Sequence, residues 1–279
     1  MNRSVASSIR TLVGRSSVAQ AAYPHLVKGR LGTERWALSL LERGRSASRP
    51  TTPSKRARIV AYHSIGTSAW GVNDVTPADF ERHLQIAVDD GWTFATPAEV
   101  LARPAEQLLA ITFDDGVATV LDNAVPVLRH HGVPATMFVV TGWADGGHEN
   151  GYAHVLDWKG VTALQDAGMT LASHSTTHPD FGKLSVSDAR RELETSRERM
   201  RTMLGLDTVE FAIPFGQSAN WTAAAQQAAT EAGYTTVYAQ SVGTRPQGTV
   251  ARTFITSFDK PLVYRAALGG AFDNWEEWY

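Results

Sequence analysis

Short apolar runs recur along the chain, and a polar or helix-period stretch separates most of them. Ile59–Tyr62, Leu108–Phe113, Ala135–Val140, Met169–Ser173, Val209–Ile213, Thr235–Ala239 and Thr249–Ile255 have strand length. The most uniformly apolar of these read as parallel strands buried on both faces rather than as strands with one wet side. Between them the helix signals are local. Thr76-Pro77 opens a helix that runs to Asp90 and stops at Gly91, and Thr96-Pro97 is a second cap after a short strand at Thr93–Ala95. A helix is expected near Val117–His130, stopped by Gly132. Asp157 caps another to Ala167, Ser185 caps a long charged one to Leu204, and a further helix lies near Thr222–Ala232. The Arg and Glu residues of the long helix read as a solvated face. Strand and helix alternating at this interval predict a parallel α/β architecture.

Two strands end in side chains with chemical potential. Leu108-Leu-Ala-Ile-Thr-Phe-Asp-Asp-Gly116 runs from an apolar strand straight into Asp114 and Asp115. Consecutive strand residues point to opposite faces, so both carboxylates reach one site only where the strand breaks, and Gly116 supplies that break. Asp-Gly is also a common turn pair, which is the plain alternative. Met169-Thr-Leu-Ala-Ser-His174-Ser-Thr-Thr-His178 ends in two histidines four apart. One helical turn would bring residues at that spacing onto one face. Two imidazoles and a carboxylate leave a coordination position open for water, as catalytic rather than structural zinc sites do.

Thr112-Phe-Asp-Asp-Gly116 followed by His174-Ser-Thr-Thr-His178 resembles the polysaccharide deacetylase family, the NodB-homology de-N-acetylases akin to carbohydrate esterase family 4. Phe211-Ala-Ile-Pro214-Phe215-Gly216 is similar to that family's third loop, and Ala61-Tyr-His63-Ser-Ile65 resembles the opening strand of a circularly rearranged subgroup acting on surface polysaccharides. The resemblance covers roughly residues 58–258. It implies a distorted (β/α)7-type barrel. It also implies Asp115, His174 and His178 as ligands of one divalent metal ion, Asp114 as general base, and the Phe215 backbone N–H, after Pro214, as oxyanion donor. Zinc is the leading metal, with cobalt, nickel and iron also suited to such ligands. The family's late acid histidine has no counterpart, because no histidine follows His178. His63 is the substitute expected, since first and last strands are neighbours in a closed barrel. Where relatives carry an orienting arginine this chain has Ala212. Arg252 on the last strand is the candidate replacement, with a surface arginine as the alternative. Trp143 is the candidate sugar-stacking ring.

The chain has 279 residues, no cysteine and a formal charge of −2. Disulfides and cysteine-based chemistry are therefore excluded. The charge is unevenly spread. Up to Arg58, ten Arg and two Lys face only Glu34 and Glu42, a surplus of ten, so the remaining residues carry −12. Residues 1–57 are thus expected to form a basic, partly helical arm and linker ahead of a catalytic domain at 58–279. The arm either contacts an anionic membrane surface or folds back onto the acidic domain. It lacks a nucleic-acid-binding motif. Arg10 and Arg15 interrupt the only candidate leader core, and no apolar run is long enough to span a bilayer. A cytoplasmic location, peripheral at a membrane, is the expectation. The function expected is hydrolysis of an N-acetyl group on an amino sugar of a glycan or lipid-linked glycan. Hydrolysis of another acyl bond and an inactive glycan-binding barrel are the alternatives.

Overall fold

The computed structural model describes residues 41, 43–45, 56–146 and 154–276. The described residues from Arg43 to Glu276 belong to one compact unit. The predicted basic arm lies outside the described residues except at positions 41, 43–45 and 56–57. Arg43 is buried, and its guanidinium bonds the Asp259 carboxylate and the Phe254 carbonyl.

The strands are β1 (Arg58–Tyr62), β2 (Ser64–Ile65), β3 (Asp74–Val75), β4 (Thr93–Phe94), β5 (Leu108–Phe113), β6 (Ala135–Val139), β7 (Thr170–Ser173), β8 (Glu210–Ala212), β9 (Thr236–Gln240) and β10 (Val250–Phe254). β5 to β10 pair in sequence order, and β1 lies between β10 and β5, closing a seven-stranded parallel barrel. β4 adds to the start of β5, and β2 and β3 form a small separate pair.

Five of the eight helices named here begin where the sequence offers a side-chain acceptor. Thr76 caps α1 (Pro77–Asp89), and Thr96 makes a capping box with Glu99 on α2 (Pro97–Ala102). A π turn at Val120–Ala124 leads into α3 (Val125–His131), and α4 (Thr141–Ala144) is a single turn after β6. Asp157, Ser185 and Thr222 cap α5 (Trp158–Asp166), α6 (Val186–Leu204) and α7 (Ala223–Glu231). α8 (Pro261–Leu268) has no side-chain cap and was not visible in the sequence pattern. The helix expected from Val117 starts later, because Val117 bridges Val155 and Ala118 donates to the His154 carbonyl instead.

The period-two alternation of strand side chains explains how the barrel builds its site. Ile59, Leu108, Ala110, Phe138, Ala172, Ala212 and Tyr238 pack together as the inner core. Two residues further along the same inward positions lie His63 after Ala61, Asp114 after Thr112, and His174 after Ala172. The outward residues of β1, β5 and β6, among them Val60, Ile111 and Met137, pack under the helices.

In that outer layer, His83 of α1 is buried and stacks on the Tyr264 ring of α8, with ring centres 4.0 Å apart. Its Nε2 donates to the Asp259 carbonyl at 2.5 Å and its Nδ1 accepts from the Tyr62 hydroxyl at 3.1 Å. Burial lowers the His83 pKa to about 4. An unfolded chain therefore takes up this proton near pH 6.5, where the folded one does not. Unfolding free energy should fall as pH drops from about 6.5 to about 4, by roughly 3 kcal/mol from this residue. Urea titrations of wild type and His83→Gln across that window check this, and identical pH slopes would contradict it.

Candidate active site

β5 carries Asp114 in line with its inward residues, and the Asp114 N–H still donates to the Tyr62 carbonyl of β1 at 2.9 Å. The ladder then breaks. Asp115 and Gly116 both take left-handed backbone conformations, with φ of 72° and 77°. Aspartate tolerates that region better than most residues, and glycine tolerates it freely. The reversal brings both carboxylates to one end of the barrel, 1% and 4% exposed.

Arg252 points inward from β10 and meets Asp114 with both terminal nitrogens, Nη1 to Oδ1 at 2.6 Å and Nη2 to Oδ2 at 2.7 Å. The guanidinium lies 4.8 Å from the Phe138 ring centre, and Nη1 also donates to Thr112 Oγ1 at 3.3 Å. It is fully buried, so the alternative of a surface arginine is excluded. Burial alone would raise the Asp114 pKa; the charge of Arg252 and its hydrogen bonds bring it down to about 2. Asp115 has no such partner. Burial and the adjacent Asp114 charge push its carboxyl well above the usual carboxylate range.

His174 follows β7, with its N–H bonded to the Val139 carbonyl at 2.9 Å. Its Nδ1 is 2.8 Å from the Ala212 carbonyl. A carbonyl can only accept, so Nδ1 carries the proton and Nε2 presents a lone pair. His178 reaches the same point, though not by the helical turn its spacing suggested. Residues 174–178 form a loop in which Ser175 and His178 are left-handed, φ 70° and 59°. Nε2 of His174 and Nε2 of His178 each lie 3.4 Å from Asp115 Oδ1. The ligand atoms of the three residues all fall within 4.8 Å of one another. Asp115 Oδ1 is buried and has no hydrogen-bond donor. Burial lowers the pKa of both imidazoles, and that of His178 falls well below 6.5. Two neutral imidazoles beside an uncompensated buried carboxylate suit a divalent cation of zinc type, so the residues fit the metal expected of them.

The remaining expected residues surround this cluster. His63 is 7% exposed, with Nε2 4.0 Å from Asp115 Oδ2 and its ring 5.0 Å from Phe254. Burial lowers its pKa to about 4 against the opposing pull of Asp114. Pro214 is buried and leads into Phe215, whose φ is 63° and whose ring centre is 4.7 Å from that of His178. The Trp143 ring packs 5.4 Å from His178 and is 5% exposed, so it offers little free face for a sugar. Trp70 lies 6.5 Å from the His63 ring.

Several residues that hold this arrangement carry no motif signal. The Gln240 side-chain amide donates to the Phe215 carbonyl, and its backbone N–H donates to the Gly216 carbonyl at 2.7 Å. Gly142 allows α4 to touch the histidine loop, since a Cβ there would lie 2.5 Å from the Thr176 carbonyl oxygen. Glu192, on the helix read as a solvated face, bonds that same loop. Of the other histidines, His83 is buried elsewhere, and His130 and His131 end α3. His25 and His148 lie outside the described residues.

Residues 102–237 match the family model for polysaccharide deacetylase. YxkH of Bacillus subtilis is 28% identical over 165 residues, which cover 57% of this chain and 56% of YxkH. The chain thus spans little more than half the length of that relative. The structure of the Streptococcus pyogenes deacetylase PplD in complex with acetate superposes with a TM-score of 0.64 at 25% identity, over 74% of this chain and 95% of PplD. The fold of IcaB from Ammonifex degensii is also similar, with a TM-score of 0.65 at 21% identity over 77% of this chain and 97% of IcaB.

Removing the guanidinium should leave Asp114 as a buried charge without a partner. Arg252→Met is expected to lose about 3 kcal/mol of stability at pH 7. The deficit should shrink near pH 4, where the freed carboxylate takes up a proton. Urea unfolding at the two pH values measures this, and an equal deficit at both would contradict the assigned charge state.

Proposed function

We propose that this chain, whose residues 102–237 match the polysaccharide deacetylase family model, is a hydrolase that removes an N-acetyl group from an amino sugar of a glycan. The observation that carries this reading is the convergence of Asp115, His174 and His178 on one point beside an Asp114 already paired by Arg252. The acetate in the PplD complex is the product that deacetylation releases, which supports an acetyl-sized substrate group.

Asp115, His174 and His178 would hold the divalent cation. When bound, such an ion supplies Lewis acidity toward a carbonyl oxygen and a water molecule. Asp114 acts as general base. Arg252 fixes its plane and keeps it ionised, and with a pKa of about 2 it is a weak base toward free water. That weakness is why an acidified water is needed here. As water adds to the amide carbon, Asp114 takes its proton and negative charge gathers on the former carbonyl oxygen. The Phe215 N–H, presented by the left-handed turn after Pro214, is the protein donor for that oxygen. His63 is neutral in the free site near pH 7. As negative charge develops on the substrate, His63 takes up a proton from solvent and delivers it to the nitrogen as the C–N bond breaks, and Asp114 returns the proton it took from water to solvent. Acetate and a free amine leave.

The direct test is release of primary amine from N-acetylated oligosaccharides, run beside acetyl esters. Amine release is expected, and ester turnover with no amine from any N-acetyl sugar would overturn the reading. Asp114→Asn should lower kcat by about 100- to 10,000-fold while the protein still takes up metal. Unchanged turnover in that variant would exclude Asp114 as the base.

A further inference from the structure

The loop between the two site histidines is tied down at its centre from outside the barrel. Glu192 lies in the second turn of α6. Its Oε2 accepts from the Thr176 N–H at 3.0 Å and the Thr177 N–H at 2.9 Å, and its Oε1 accepts from the Thr177 hydroxyl at 2.8 Å. The Thr176 hydroxyl donates back to the Glu192 carbonyl at 2.9 Å. One turn further along α6, the Ser196 hydroxyl reaches the Ser175 carbonyl at 3.1 Å. Positions 192 and 196 share a helix face, so α6 grips three consecutive loop residues with a single edge. The charged neighbours of Glu192 on this helix behave otherwise: Arg190, Arg191, Arg197, Arg199 and Arg201 all pair with carboxylates. The Glu192 carboxylate is instead matched to backbone N–H groups.

Two successive N–H groups converging on one anion make a concave cradle, and an ionised acceptor strengthens each bond. The cradle is needed because Ser175 and His178 both hold left-handed conformations that side chains disfavour. The two ends of the loop differ in support. His174 is fixed by the β-ladder and by the Ala212 carbonyl whatever the loop does. His178 has no ladder partner: its N–H bonds Ser175 Oγ within the loop at 3.0 Å, its ring packs against Phe215, and the chain beyond it is held by Asp180 and the buried Phe181. The same loop also anchors α4, through the Gly142 N–H to the Thr176 carbonyl at 2.8 Å, and α4 carries Trp143 against His178.

We propose that Glu192 is a positioning residue that sets the place of His178 relative to Asp115 and His174, and thereby the affinity of the site for a divalent cation. The inference rests on the metal-binding reading of that cluster. Outer partners of metal ligands are typically worth 10- to 100-fold in metal affinity. Truncating Glu192 frees the loop to leave its left-handed turns, and His178 then swings away from the common point while His174 stays.

The test is zinc affinity by competition with a chromophoric chelator, together with amide hydrogen exchange at Thr176 and Thr177. The proteins are wild type, Glu192→Ala, Glu192→Gln and, on the exposed face of the same helix, Glu194→Ala. Glu192→Ala should weaken zinc binding roughly 10- to 100-fold and speed exchange at both amides. Glu192→Gln, which keeps an oxygen for the two N–H groups, should lie between it and wild type, and Glu194→Ala should match wild type. Wild-type zinc affinity in Glu192→Ala would overturn the proposal, even with faster exchange. Should Glu192→Ala fail to fold, Glu192→Gln combined with Thr177→Val decides in its place, and wild-type affinity there overturns the proposal equally. A wild-type protein that takes up no zinc, with exchange still dependent on Glu192, would instead mark failure of the metal reading and remove the proposal with it.

Discussion

Two carboxylates adjacent in sequence, both buried at the end of one strand, cannot both stay ionised without positive charge nearby. Arg252 supplies that charge to Asp114 through two short bonds and none of comparable geometry to Asp115. The asymmetry drives the two pKa values apart, one down to about 2 and the other well above the carboxylate range. Much of the local structure answers this imbalance. The two histidines that surround Asp115 are held neutral by burial, with His174 turned by a backbone carbonyl so that Nε2 faces the carboxylate. The protein thus presents one carboxylate whose charge is already balanced and one whose charge is not, which is the division of labour that a base and a metal ligand require.

The barrel makes this division attainable because its closure decides which side chains meet. Arg252 and Asp114 are 138 positions apart and meet because β1 pairs with both β10 and β5. The inward alternation then sets Asp114, His63, His174 and Arg252 on the inner face near one end. A shift of one residue in any of these strands would send its functional side chain into the outer layer. Above the strands the loops do the fine adjustment, with left-handed turns at Asp115, Ser175, His178 and Phe215. All four are unfavourable backbone conformations, and the Ser175 and Phe215 carbonyls accept from Ser196 and Gln240 on neighbouring elements.

The parts legible in the sequence were those written locally. Apolar runs marked the barrel strands, Ser, Thr and Asp caps marked helix starts, and the Asp-Asp and His-His pairs marked the strand ends that carry the site. Arg252 stood out only as one reading of two, because a strand residue's partner depends on a register that closure sets. The His174–His178 spacing suggested a helical turn, whereas two left-handed residues bring the rings together in a loop. Gln240 and Glu192 were illegible for a different reason. Their partners are backbone groups, which every residue has, so no pairing of side-chain types could reveal them. Glu192 in particular sits among paired surface charges and looks like one of them until the loop beneath it is seen.

Elemental analysis of the purified protein, wild type beside His178→Ala, bears most directly on the charge imbalance at Asp115. About one zinc, cobalt, nickel or iron atom per chain, lost in the variant, is the expected result. No metal in either protein, even after incubation with each of these ions, would mean that Asp115 stays protonated and that the cluster does not bind the cation its chemistry requires.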